Sequence, residues 1–114
     1  MKKELQKFLN EANENIRMAK KFDYPEWLME YVPGFLDWRK IADKKLREAT
    51  KQDWEKAVSN GKLKEEWEEM RNNNIVPMHD DGETFEKLEK LGEIEIIKRG
   101  LLFNGKVKIL NPKF

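Results

Sequence analysis

The stretch EIEIIKRGLLFNGKVKIL, residues 93–110, is the only convincing β-segment in a chain that otherwise reads as helical. It carries two rival turn signals, Arg99-Gly100 and Asn104-Gly105. If Asn104-Gly105 forms a two-residue type I′ turn, Leu102 faces Val107 and Gly100 faces Ile109. If Gly100-Leu101 forms a type II′ turn, Glu95 faces Lys106, Glu93 faces Lys108 and Ile94 faces Val107. The second register matches opposite charges twice and apolar residues once, and cross-strand pairs of both kinds stabilise a hairpin. It is preferred on that ground, and it places Asn104-Gly105 inside a strand, where a bulge is needed. Lys106 and Lys108 are then engaged by glutamates, while Lys98 and Arg99 at the turn stay free. A meander using both turns is the third option, with a very short middle strand.

Outward from the hairpin, the pattern changes to a period of three to four. Leu5, Phe8, Leu9, Ala12, Ile16 and Ala19 predict a helix over about residues 2–21. Asp23 and Pro25 suit the start of a short helix, PEWLMEYV, which Pro33-Gly34 ends. Phe35, Trp38, Ile41, Ala42, Leu46 and Ala49 predict a longer helix. Thr50 with Asp53 resembles a capping box, so a new helix or a kink is expected there. Asn60-Gly61 is a stop signal. KLKEEWEEMRNNN puts Leu63, Trp67 and Met70 on one helical face, and ETFEKLEKLG does the same for Phe85, Leu88 and Leu91, with Gly92 as its stop. Between them NNNIVPMHDDG, residues 72–82, reads as the longest connection, pinned to the core by Ile75, Val76 and Met78.

Composition bounds the function. The 114 residues suffice for one domain, and 39% hydrophobic content with six Phe and four Trp can build one core. Charge is abundant but balanced, 23 basic against 22 acidic side chains, which argues for a folded chain and against wholesale coating of nucleic acid. No cysteine is present, which removes disulfides, thiolate nucleophiles and Cys-based zinc sites. The N-terminus lacks the continuous apolar run of a signal peptide, and no window approaches the roughly 18 apolar residues of a membrane span. A cytoplasmic setting is expected.

Few residues carry chemistry. His79 lies in MHDDGET with Asp80, Asp81 and Glu83, but the spacing matches neither a calcium loop nor a catalytic zinc set. The expected role is a turn followed by a helix start, capped by Asp80 or Asp81 with Glu83 at the positive helix end. No nucleophile-elbow, zincin or P-loop pattern occurs, and Ser59 is the only serine, so no catalytic residue is expected. Of Trp27, Trp38, Trp54 and Trp67, the candidates for a surface anchor are Trp54 and Trp27. Charge is segregated: residues 39–51 hold six basic and two acidic side chains, residues 52–91 eleven acidic and six basic. Lys40, Lys44, Arg47 and Lys51 follow at steps of four, three and four, a row that faces outward if the row of Trp38, Ile41, Ala42 and Ala49 is buried.

The run FEKLEKLGEIEIIKRG resembles the last helix and wing of a winged-helix domain over about a quarter of the chain. That resemblance implies a DNA-binding regulator using Lys98 and Arg99 at the hairpin tip, with Lys87 and Lys90. Against it, Glu83, Glu86, Lys87, Glu89 and Lys90 make the helix surface more acidic than basic, and residues 72–82 are long for the turn of a helix-turn-helix. No family is assigned on this basis.

Together these features predict an α+β single domain over residues 1–114, four to six helices with a C-terminal antiparallel hairpin packed on them. The function expected first is a non-enzymatic binding protein acting through protein–protein contacts. It would be an inhibitor, adaptor or assembly factor in the style of a phage or mobile-element accessory protein. Lys40, Lys44, Arg47, Lys51, Trp54, Lys98 and Arg99 are the expected partner-contacting residues; no metal, cofactor or membrane is expected. A structural subunit of a larger assembly is a third possibility.

Overall fold

The computed structural model describes residues 2–31, 37–100 and 104–113. The spine is helix α1 (Lys3–Lys21), whose inward row is Leu5, Phe8, Leu9, Ala12, Ile16 and Ala19, the predicted stripe residue for residue. Helix α2 (Glu26–Tyr31) packs on α1 and buries Trp27 and Leu28 completely. The expected stop at Pro33-Gly34, and Phe35, lie outside the described residues.

The longer helix predicted from Phe35 onward is broken. A single 3-10 turn spans Trp38–Lys40, and α3 (Lys44–Val58) starts afresh because the Asp43 carboxylate accepts from the Leu46 N–H at 2.8 Å. Once started, α3 runs through Thr50 and Asp53 without a break, so no new helix begins there. Asn60 both follows α3 and caps α4 (Gly61–Asn73), accepting from Lys62 N–H at 2.9 Å. The Asn run ends α4, with Asn74 left-handed at φ 56°.

The connection expected over residues 72–82 contains a strand. β1 (Ile75–His79) buries Val76 and Met78 in alternation, and α5 (Thr84–Lys90) follows. α5 buries Phe85 and Leu88 but leaves Leu91 exposed, and Gly92 at φ 75° closes it as predicted. β2 (Ile94–Lys98) and β3 (Asn104–Ile109) complete a three-stranded antiparallel sheet of order β1-β3-β2. The protein is thus a mixed α+β fold with five α-helices and one sheet among the described residues.

Neither predicted hairpin register occurs. Glu95 lies opposite Lys108, Ile94 opposite Ile109 and Ile96 opposite Val107, with a bulge before Lys98, which lies opposite Lys106. Both proposals assumed a two-residue turn. Leu101 of the proposed Gly100-Leu101 turn, and Leu102, lie outside the described residues; within them, the register shifts at Ile97, between Ile96 and Lys98. Burial sets the observed register: it aligns Ile94, Ile96, Val107 and Ile109 on the core face with Val76 across β3. Gly105 lies in β3, where a Cβ would stand 2.6 Å from the Phe85 ring and 2.7 Å from the Lys98 carbonyl oxygen. That ring contact is what requires glycine. The core face of the sheet, α1, α2, α5 and Met70 of α4 form one buried cluster, in which each fully buried large side chain contributes about 1.5–3 kcal/mol.

Candidate functional site

Helix α3 reaches that cluster only at its C-terminal end, where half-buried Ala57 and Val58 pack against it. None of its fifteen residues is fully buried, and its main packing partners are the 3-10 turn and α4. Its C-terminal end is held by Tyr24, whose hydroxyl lies 3.0 and 2.7 Å from the carbonyl oxygens of Ala57 and Val58. Its middle is held by Trp54 against Trp38, ring centroids 6.3 Å apart.

The row of Lys40, Lys44, Arg47 and Lys51 is not continuous. Lys40 belongs to the 3-10 turn, and the three residues that follow it interrupt the helix. Lys44, Arg47 and Lys51 share a face of α3, but that face turns partly inward. Lys51 lies over the Trp38 ring at 5.2 Å and near Glu55 at 4.0 Å, and Arg47 donates to the Ile41 carbonyl at 3.4 Å. The residues expected to be buried, Ala42, Leu46 and Ala49, are exposed instead, Leu46 by 53%. The sequence pattern was real, but no core element lies on that side to receive it. What α3 offers outward is a leucine between exposed Lys44, Lys45 and Glu48. Of the two tryptophans picked as anchors, Trp27 is fully buried and so is no surface anchor, whereas Trp54 is half-buried. Trp54 lines a small cleft with Pro25, Met29, Trp38 and Arg39.

Of Lys98 and Arg99, both expected to be free, Arg99 is engaged. Arg99 holds Asp80 through Nε at 2.8 Å and Nη2 at 3.2 Å, reaches Glu86 at 3.4 Å, and lies over the Phe85 ring at 5.6 Å. Asp80 is buried, and it also accepts from the N–H groups of Gly82 at 2.9 Å and Gly100 at 3.0 Å. The Arg99 side chain first, then these backbone donors, hold its carboxyl below the usual carboxylate range. Asp81 takes the capping role, accepting from the Thr84 N–H at 2.8 Å and hydroxyl at 2.6 Å. His79 is exposed at the end of β1 beside a shallow cleft with Lys7, Glu11 and Asp81. Among the described residues no three acidic or histidine side chains converge to hold a metal.

Neither of the expected pairs, Glu95 with Lys106 and Glu93 with Lys108, occurs. Lys106 pairs with Glu69 of α4 at 3.0 Å, and neighbouring Glu66 is pushed upward by burial. This pairing joins residues far apart in sequence, and nothing in the local pattern points to it. Lys98 is exposed. A helix-turn-helix needs two consecutive helices, whereas α5 is bounded on both sides by strands. No family model matches the chain, and no curated protein or solved structure matches it either. No helix among the described residues is long and apolar enough to cross a membrane.

Proposed function

We propose that the protein is a non-enzymatic binding module that docks on another protein through the outer face of α3. It would act as an inhibitor, adaptor or assembly factor. The observation that carries this reading is α3 itself: a fifteen-residue helix with no fully buried side chain that presents Leu46 to solvent among lysines. A helix of that length gains little stability from propensity alone. An exposed leucine beside Lys44 and Lys45 suits an apolar contact with a partially acidic rim on the partner. Lys44, Lys45 and Leu46 would make that contact, with Lys40 beside it and Trp54, Arg47 and Lys51 fixing the helix from behind.

A pull-down with the purified chain, with and without nuclease, tests the reading. A protein retained at about 150 mM salt, unaffected by nuclease and lost from a Lys44→Glu, Leu46→Asp variant, supports it. Retention of nucleic acid instead, with every protein released by nuclease, supports the DNA-binding alternative and overturns it.

A further inference from the structure

Two surface features complement each other, and the first is the start of α3. The molecule is long for its size, 52 by 27 by 26 Å with a radius of gyration of 16.2 Å, where a compact domain of this length has about 13 Å. α3 is tied to the body through its C-terminal half, by Trp54, Ala57 and Val58. Its first turns carry Leu46, exposed by 53%, with Ala42 a turn before it and Ala49 a turn after it exposed as well. Such small side chains on either side of a leucine let a helix come close to another surface. Residues 39–48 hold five basic side chains, Arg39, Lys40, Lys44, Lys45 and Arg47, against Asp43 and Glu48.

The second feature is a cleft of about 570 Å³ between α1, β1 and the start of α5. Phe8 and Met78, both core residues, line its bottom with half-buried Pro77. Glu4, Glu11 and Asp81 stand around it against one cation, Lys7, and all four are exposed. Asp81 already accepts from Thr84. Glu4 and Glu11 are engaged in no hydrogen bond or ion pair among the described residues, and they lie two turns apart on α1, about 10 Å.

The helix start is basic and carries an apolar side chain; the cleft is acidic at its rim and apolar at its bottom. We propose that α3 of one copy of this chain seats in the α1–β1 cleft of a second copy. Leu46 is directed towards Phe8 and Pro77, and Lys44 and Lys45 towards Glu4 and Glu11. The proposal rests on the reading of α3 as a docking face and names a partner for it. The two surfaces are different, so the contact is head-to-tail, closing into a ring of two or more copies or running on as a chain. One helix start in one cleft buries less than the roughly 1,000 Å² of a stable interface, so the association is weak and grows with concentration.

The test is sedimentation equilibrium of the full chain at concentrations up to about 1 mM. The expected result is an average mass that rises with concentration for the unaltered chain. Lys44→Glu, Leu46→Asp abolishes the rise, and Glu4→Ala, Glu11→Ala weakens it at least about fivefold. An equimolar mixture of the two variants, which brings together one intact α3 and one intact cleft, forms a one-to-one complex tighter than either variant forms alone. A monomeric unaltered chain at the highest concentration, association unchanged in either variant, or a mixture no tighter than its components overturns the proposal. If the cleft variant associates as the unaltered chain does, or no association occurs, while a foreign protein is still retained through α3 in the pull-down, this proposal fails and the docking reading stands.

Discussion

Replacing Asp80 with alanine is the sharpest probe of how the hairpin is held. Asp80 is 5% exposed, and its carboxylate accepts four hydrogen bonds, two from Arg99 and one each from the N–H groups of Gly82 and Gly100. In Asp80→Ala, water replaces the acceptor at exposed Gly82 but less fully at half-buried Gly100. A donor left unsatisfied costs about 1–3 kcal/mol, and bonds to a charged group contribute about 1.5–3 kcal/mol. With one position rehydrated, the expected loss is about 2–3 kcal/mol, or about 8–12 °C in Tm for a chain of this size. The difference depends on pH. The folded pKa of Asp80 lies below its unfolded value, so the stabilisation is complete above the unfolded carboxylate pKa of about 3.9 and is lost as pH falls through the folded value. Thermal melts of both proteins from neutral to acid pH therefore show a constant gap down to about pH 5, narrowing below it. A gap under about 0.5 kcal/mol at pH 7, or one unchanged in acid, refutes this account of the tip.

Two further substitutions test the packing. Gly105→Ala sets a methyl group against Phe85 and the Lys98 carbonyl. The gain of about 0.5–1 kcal/mol from a stiffer unfolded chain is outweighed by about 1–3 kcal/mol of overpacking, so denaturant unfolding shows a net loss. Trp27→Ala empties a fully buried site and costs about 3–5 kcal/mol, while Trp54→Ala costs clearly less; equal losses contradict the placement of the two rings.

The helical half of the fold was legible because its signals are local. The α1 stripe, the Asn run ending α4 and Gly92 closing α5 each depend on residues within a turn or two. The sheet was not legible, for three physical reasons. β1 is five residues long and contains Pro77, so its alternation is too short to separate from a loop and its proline argues against a strand. Its partner β3 lies some thirty residues away. The hairpin register was decided by burial of Ile94, Ile96, Val107 and Ile109, with the bulge at Ile97 adjusting the chain, rather than by turn chemistry. Of the candidate site, Trp54 and the lysines of α3 were visible as residue types. Their orientation was not, because helical periodicity identifies an apolar face without saying whether the fold supplies anything to cover it. Leu46 was assigned to the core for that reason. Arg99 was assigned to solvent because its buried partner Asp80 is nineteen residues away.

The central claim is that α3, up to its C-terminal Ala57 and Val58, lies outside the core and leaves its outer face for a partner. Native-state amide hydrogen exchange of the chain alone tests it directly. The expected result is that the amides of α3 exchange through local opening, at least about a hundredfold faster than those of Val107 and Ile109 in the central strand. If α3 is protected as strongly as β3, the helix is part of the cooperative core, and the docking face inferred from it does not exist.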